Sequence, residues 1–208
     1  MVNKNVKLVA VDMDGTLLDS EKNAPADFES WVLSHPEIQT VLASGRQYAT
    51  LKDMFPALSE CLMYVADNGS FVFKQDEMIY SNAISDEDIR WCIEYFGTMP
   101  GAYLILCGAK AAYMMHTPGL VEENGRMYYH SLEFVEALED CIGKDIIAKI
   151  AVFIEDYKAE EVYNHLSGIP ESIAAVLSGD SWIDVANRSV SKGSAMEAIE
   201  DSLHIKKE

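Results

Sequence analysis

Two carboxylates, Asp12 and Asp14, stand two residues apart directly after a short apolar run from Val6 to Val11. This β-branched run predicts a buried strand of a parallel sheet, and open α/β sheets bind ligands beyond the carboxyl ends of their strands. A carboxylate can attack phosphorus when a metal ion neutralises the gathered negative charge. A neighbouring carboxylic acid can protonate the leaving alkoxide and later deprotonate water. The pair therefore indicates phosphoryl transfer, with a solvated Asp-rich turn as the alternative.

Candidate phosphate ligands follow in two other places. Ser44 and Gly45 come directly after a second apolar run, where a hydroxyl and backbone N–H groups can bind a phosphoryl oxygen; an N-cap serine is the alternative. Lys192 begins the last predicted helix, where a cation opposes the helix dipole unless it serves another purpose. A contact with the phosphoryl oxygens and the nucleophile is such a purpose, and a solvated surface lysine is the alternative.

The elements that must position these residues alternate between strand, polar glycine turn and helix. This order is typical of a parallel α/β sheet. Arg46 and Asn68 follow the second and third strands and are candidate substrate contacts, with N-cap and turn roles as alternatives. The strands are predicted at 6–11, 41–43 and 61–66, and the helices at 25–33 and 47–55.

Beyond Gly69 the pattern changes to hairpins and isolated helices, which indicates a second α+β module. Hairpins are predicted at 70–81 and 102–115, helices at 86–96, 132–141 and 159–166, and strands at 146–154 and 173–177. A short strand at 182–185 and a helix at 192–203 complete the chain.

Together these motifs resemble those of the haloacid dehalogenase superfamily of phosphotransferases, and within it the Cof-like sugar-phosphate phosphatases. Residues 12–18 match the first motif, DxDGTLL, and residues 44–46 match a Ser/Thr-Gly-Arg second motif. Asn68-Gly69 is similar to the pair that ends the third strand in that family. Residues 182–193 are similar to its third motif, which places Lys192 as the motif lysine.

The resemblance implies an α/β fold with a Rossmann-like parallel-sheet core at 1–81 and 182–208 and an inserted α+β cap domain at 82–181. It implies that Asp12 is the nucleophile, that Asp14 is the general acid and base, and that Ser44, Gly45 and Lys192 hold the phosphoryl group. It also implies a Mg²⁺ ion bound by the side chain of Asp12 and the backbone carbonyl of Asp14. The expected activity is hydrolysis of a small phosphorylated metabolite of the sugar-phosphate type.

One departure from the family is expected to matter. The chain stops at Glu208, before the GDxxND-like fourth motif, so the core is expected to be C-terminally incomplete and the activity impaired. Residues 179–184 imitate that motif, but they precede Lys192 and are not taken as it. The strand that ends at Asp12 is then expected to form an exposed sheet edge that pairs with another chain. A catalytically inactive remnant that binds phosphate esters is the alternative function.

Composition limits the partners of this 208-residue chain, whose formal net charge is −18. A protein this anionic repels nucleic-acid backbones, and no apolar stretch approaches the roughly 18 residues of a membrane span. Four dispersed cysteines indicate reduced thiols rather than zinc or disulfides. Because the N-terminus lacks the features of a signal peptide, we expect a cytoplasmic protein.

Overall fold

The computed structural model describes residues 6–117 and 119–205, which form two compact units. The first unit contains residues 6–81 and 191–205, and the second contains the described residues between 82 and 190. No helix in these ranges is long and apolar enough to cross a membrane. The expectations about residues 1–5 and about the chain end at Glu208 fall outside the described residues.

Strands and helices alternate as far as the third strand, and after it single helices separate groups of two or more strands. The strands are β1 (Leu8–Asp12), β2 (Gln39–Ala43), β3 (Leu62–Ala66), β4 (Phe71–Lys74), β5 (Glu77–Ser81), β6 (Ala102–Gly108), β7 (Ala112–Met115), β8 (Leu132–Val135), β9 (Ile147–Ile154), β10 (Ile173–Gly179) and β11 (Trp182–Asn187). The helices are α1 (Phe28–Ser34), α2 (Tyr48–Met54), α3 (Asp86–Gly97), α4 (Gly119–Tyr128), α5 (Ala159–His165) and α6 (Lys192–Ser202). Short 3₁₀ turns lie at Pro56–Leu58, Asp67–Gly69, Leu138–Cys141 and Glu155–Tyr157.

The sheet of the first unit has the order β1-β2-β3-β4-β5 in the described residues. The pairs β1–β2 and β2–β3 are parallel, whereas β3–β4 and β4–β5 are antiparallel. Ala43 is in register with Asp12 on one side and with Val65 on the other. The carboxyl ends of β1, β2 and β3 therefore meet at one edge of the sheet, where the candidate catalytic residues follow them.

Helix α6 packs on one face of this sheet. Ala195 and Ile199 of α6 are fully buried in a cluster with side chains of β2, β3 and β4. All five residues of β3 are buried, as expected for a strand that is covered on both faces. This packing fixes the axis of α6 and brings its first turn to the edge of the sheet that carries the motif residues.

Strand β1 lies at the other margin of the sheet and pairs only with β2 in the described part of the chain. Leu8, Val9 and Val11 are half-buried, and Ala10 is exposed. The expected edge position of β1 is thus present, and its pairing with another chain stays a prediction.

The second unit contains a six-stranded sheet in the order β10-β11-β9-β6-β7-β8. Its described pairs are antiparallel except β7–β8, which is parallel. Helices α3 and α5 contribute to a hydrophobic cluster with alternate residues of these strands, and α4 contributes Val121 to a second cluster. The expected fold class, an α/β parallel-sheet core with an inserted α+β domain, is confirmed.

The helix predicted at 132–141 is wrong. Residues Leu132–Val135 form β8, which pairs in parallel with β7, and Leu138–Cys141 is a single 3₁₀ turn. Helix α4 was absent from the prediction, because Gly125 in its middle lowers helix propensity. Gly125 has a packing reason: a Cβ there would lie 2.8 Å from the sulfur of Met114.

The domain boundary expected at 181/182 is also wrong. Strand β11 pairs with β9 and β10 and buries Ile183 and Val185, so it belongs to the second unit, which continues to Val190. The polar residues before β11 form the turn of the β10–β11 hairpin rather than an exit from the domain. Pairing on both sides of β11 decides its place, and the local sequence does not reveal that pairing.

Candidate functional site

The candidate site is built on the carboxyl ends of the three parallel strands. Asp12 is the last residue of β1, and Ser44 directly follows β2. The backbone N–H of Ser44 donates to Val65 O at 2.9 Å, and the N–H of Asn68 donates to Ser44 O at 2.9 Å. These bonds join the turns after β2 and β3 into one continuous edge.

Lys192 and Asp12 form an ion pair across a sequence separation of 180 residues. Their side chains are 41% and 44% exposed, so both can reach a ligand from solvent. Lys192 is the first residue of α6, and Ser191 caps this helix: its Oγ accepts from Ser194 N at 3.0 Å while Ser191 N donates to Ser194 Oγ. This reciprocal capping box fixes the backbone from which Lys192 extends.

Gly69 allows α6 to start where it does. Its φ is +105°, and a Cβ there would lie 2.2 Å from Ser191 O and 2.8 Å from Lys192 N. The preceding Asn68 is also left-handed, with φ 60°. The Asn-Gly pair singled out in the sequence therefore has a positioning role: it lets the turn after β3 approach the backbone that carries Lys192.

Asp14 is held by two cations. Arg46 donates to Asp14 Oδ1 from Nη2 at 2.8 Å and to Oδ2 from Nε at 3.3 Å, and Lys22 Nζ donates to Oδ1 at 2.8 Å. The Arg46 hydrogen bond, followed by the contact with Lys22, lowers the pKa of Asp14 from 3.8 to about 2, although partial burial acts in the opposite direction. Asp14 is therefore a carboxylate at neutral pH in this structure.

The contacts of Ser44 and Gly45 in this structure mainly order the backbone of the turn after β2. Ser44 is only 2% exposed, and its Oγ accepts from Arg46 N at 3.2 Å. A Cβ on residue 45 would lie 2.8 Å from Asn68 Oδ1, so Gly45 leaves room for the Asn68 side chain. Arg46 reaches Asp14, as described above.

Sequence reasoning missed Lys22. It occupies a turn rich in polar residues, and its type and spacing carry no signal that separates it from a solvated surface lysine. With Lys22 included, Asp12 and Asp14 are surrounded by Lys22, Arg46 and Lys192. This cluster of two carboxylates and three cations has a net charge of +1 in a chain whose net charge is −18.

Asp12 and Asp14 supply the hard oxygen donors that Mg²⁺ prefers. Lys192 contacts Asp12 Oδ1, and Asp12 Oδ2 receives no hydrogen bond from the described residues. No three His, Cys, Asp or Glu side chains of 6–117 and 119–205 are grouped to hold a metal ion. The donor set fits a magnesium ion that keeps several waters, because Mg²⁺ commonly binds through one or two carboxylates together with substrate phosphate.

Comparison with known proteins assigns this arrangement to a family. The model of the haloacid dehalogenase-like hydrolases matches residues 9–208. The chain belongs to this family. Over 203 residues it is 28% identical to a protein of Escherichia coli K12, the 5-amino-6-(5-phospho-D-ribitylamino)uracil phosphatase YbjI. The alignment covers 94% of this chain and 73% of YbjI.

Solved structures agree on the fold of this haloacid dehalogenase-like chain. TM0651 from Thermotoga maritima superposes with a TM-score of 0.82 at 18% identity, covering 97% of this chain and 77% of that one. The subclass IIB sugar phosphatase BT4131 superposes with a TM-score of 0.74 at 19% identity and the same coverage. At these identities the superpositions establish the shared architecture alone.

Proposed function

We propose that this haloacid dehalogenase-like chain is a phosphomonoester hydrolase with Asp12 as its nucleophile. The observation that carries the proposal is the pairing of the Asp12 carboxylate with the Lys192 ammonium at the carboxyl edge of a parallel sheet. A lysine there can neutralise a phosphoryl oxygen while it holds the attacking carboxylate in place. The half-exposed state of both side chains leaves them open to a ligand.

In the proposed reaction an oxygen of Asp12 attacks the phosphorus of the ester, and the bond between phosphorus and the ester oxygen breaks. The leaving alkoxide takes a proton from the Asp14 carboxylic acid, which leaves Asp14 as a carboxylate. Asp14 then accepts a proton from a water that attacks the aspartyl-phosphate, releasing phosphate and restoring Asp12. Arg46 and Lys22 hold Asp14 as the carboxylate, which the second half of the cycle needs. The first half needs the protonated form, so the proposal requires that these cationic contacts weaken and the pKa of Asp14 rises when the phosphate ester binds.

Asp12 and Asp14 are the residues that would hold Mg²⁺, which when bound supplies positive charge that offsets the anionic phosphate. Lys192 adds a positive charge next to Asp12 Oδ1. Ser44 and Gly45 border the same edge, where a hydroxyl and backbone N–H groups are the donors that phosphoryl oxygens accept.

The substrate class we propose is a small phosphorylated metabolite of the sugar-phosphate type. Two relatives support it: YbjI is named for a phosphoribitylamino compound, and BT4131 is named a sugar phosphatase. The net charge of +1 among the five charged side chains is also the sign that attracts a phosphate ester.

The test is hydrolysis of p-nitrophenyl phosphate with Mg²⁺ by the wild type, Asp12→Asn and Asp184→Asn. Asp184 is a matched carboxylate in the second unit, in the segment that imitates a fourth motif. We expect Asp12→Asn to lower kcat roughly 10³-fold or more and Asp184→Asn to retain wild-type activity. Equal rates for the wild type and Asp12→Asn would contradict the assignment of the nucleophile.

A second candidate function is phosphate-ester binding without turnover. The observation that favours it is that Arg46 and Lys22 bind the Asp14 carboxylate and lower its pKa to about 2, which makes Asp14 a weak proton acceptor. Binding of inorganic phosphate by the wild type, without hydrolysis at any Mg²⁺ concentration, would favour this function over hydrolysis.

A further inference from the structure

Lys22 lies on a turn that is closed by several hydrogen bonds. Asp19 Oδ1 accepts from Glu21 N and from Asn23 N, both at 2.9 Å. Asp19 N donates to Asn23 O at 3.0 Å, and Lys22 N donates to Asp19 O at 3.1 Å. This local network holds Lys22 with a left-handed φ of 66°, which is uncommon for a residue with a Cβ. The turn therefore presents one lysine in one direction, toward Asp14.

The Asp14 carboxylate is already bound by another cation. Arg46 already binds both of its carboxylate oxygens in a bidentate contact, the geometry that guanidinium groups and carboxylates share. Lys22 adds a second donor to Oδ1 from a side chain that is 59% exposed. An ion pair this exposed contributes little to stability, so the ordered turn is not explained by its contact with Asp14.

Lys22 changes the local charge around Asp12 and Asp14. Among the directly paired side chains, Lys22 takes the charge from neutral, with Asp12 and Asp14 balanced by Arg46 and Lys192, to a surplus of +1. The acidic Asp19 and Glu21 of the same turn accept hydrogen bonds within the turn instead. In a protein of net charge −18, a local positive surplus is what lets an anion approach. A long, exposed lysine on a fixed turn can pivot by side-chain rotation alone, without moving the backbone.

We propose that Lys22 is a phosphate-anchoring residue: its ammonium leaves the ion pair with Asp14 and forms one with an oxygen of the incoming phosphate group. The proposal rests on the proposed function for the identity of the ligand, but it concerns binding rather than turnover. Arg46 keeps Asp14 in place during the exchange, and Lys192 keeps Asp12. No covalent step is involved, because Lys22 forms only an ion pair and hydrogen bonds.

Binding of inorganic phosphate, measured by titration calorimetry at low ionic strength, tests the proposal without requiring hydrolysis. The variants are Lys22→Met, Lys22→Arg and the control Lys158→Met. Lys158 is 57% exposed and pairs with Asp156 at 3.5 Å in the second unit, so it matches Lys22 in exposure and in having an acidic partner. Where hydrolysis is measurable, kcat and KM for p-nitrophenyl phosphate are recorded in parallel.

We expect Lys22→Met to weaken phosphate binding about 3- to 10-fold, with Lys22→Arg within about 2-fold of the wild type because it restores the cation. Lys158→Met should bind as the wild type does. Where turnover occurs, the loss should appear as a higher KM with kcat unchanged.

Wild-type phosphate affinity in Lys22→Met would overturn the proposal, as would an equal loss in Lys158→Met. A fall in kcat with unchanged phosphate affinity would also overturn it and assign Lys22 to the positioning of Asp14. If the wild type binds phosphate but hydrolyses nothing, the proposed function fails while the role of Lys22 is still decided by these affinities.

Discussion

Gly69 and Ser191 approach each other so closely that a Cβ on Gly69 would lie 2.2 Å from the Ser191 carbonyl oxygen. The contact joins the turn after β3 to the N-terminus of α6, which belong to segments far apart in the chain. It matters for the site because Lys192, the partner of Asp12, is the next residue after Ser191.

The first prediction concerns this contact. Gly69→Ala should lower the free energy of unfolding by about 1–3 kcal/mol, because a side chain at φ +105° is strained and collides with backbone atoms. It should also lower activity by displacing Lys192. Urea unfolding is the measurement, and Gly97→Ala is the control, since a Cβ there meets nothing within 4 Å. Equal unfolding midpoints for the two variants would contradict this account of Gly69.

The second prediction separates catalysis from stability at Lys192. Lys192→Met should lower kcat for p-nitrophenyl phosphate roughly 10²- to 10³-fold, as the loss of one charge-stabilising donor does. The free energy of unfolding should change by less than about 1 kcal/mol, because the ion pair with Asp12 is substantially solvent-exposed. Steady-state kinetics and thermal unfolding of the same preparation check both halves. A Lys192→Met variant that unfolds at a lower temperature but keeps the wild-type kcat would show that this lysine acts in stability rather than in catalysis.

The third prediction is a pH dependence away from the site. Lys52 Nζ contacts Asp76 Oδ1 at 2.6 Å, and Tyr48 donates to the same oxygen at 2.7 Å. The Lys52 contact, followed by the Tyr48 hydrogen bond, lowers the pKa of Asp76 below its ordinary value of 3.8. A lowered carboxyl pKa contributes stability that is present above pH 3.8 and is lost as the pH falls through the folded-state value.

Lys52→Met should therefore be less stable than the wild type at pH 6, by under about 1 kcal/mol for this exposed pair. The difference should shrink as the pH falls below 3.8 and through the lowered folded-state pKa of Asp76, because protonated Asp76 no longer pairs with Lys52. Urea unfolding at pH 6 and pH 3 measures it. A difference that is constant with pH would mean that Lys52 acts through packing rather than through Asp76.

The fourth prediction concerns the edge strand β1. We expect this chain to associate through β1, because one edge of the strand has no partner strand among residues 6–117 and 119–205 and its apolar side chains are partly exposed. Ala10→Lys places a charge at the exposed position of the strand and should shift the population toward the monomer. Leu33→Lys adds the same charge at a residue of α1 that is 56% exposed and should leave association unchanged. Light scattering over a concentration series is the measurement, and a wild type that stays monomeric at high concentration would remove the basis for the prediction.

Local patterns in the sequence were sufficient for the elements that build the motif edge. The apolar runs that end at Asp12, before Ser44 and before Asn68 correspond to β1, β2 and β3, because a strand covered on both faces needs a continuous apolar run. The final helix also begins at Lys192, as predicted, since Ser191 is a strong N-cap. The family followed from motif residues whose types are dictated by chemistry.

Pairing at long range was not predictable in the same way. The apolar pattern of Leu132–Val135 is compatible with a helix or with a strand. The segment is a strand because it pairs with β7. The same holds for β11, whose neighbours β9 and β10 place it in the second unit.

By itself the sequence predicted that Asp12, Asp14, Ser44 and Lys192 belong to a phosphoryl-transfer motif, because residue type and local spacing indicate that chemistry. Only the tertiary structure decided which charges meet: Lys192 reaches Asp12, and both Arg46 and Lys22 reach Asp14. The physical reason is that ion pairing depends on the distance between side chains in space. Here that distance is set by sheet register, the packing of α6 and the close approach that Gly69 allows.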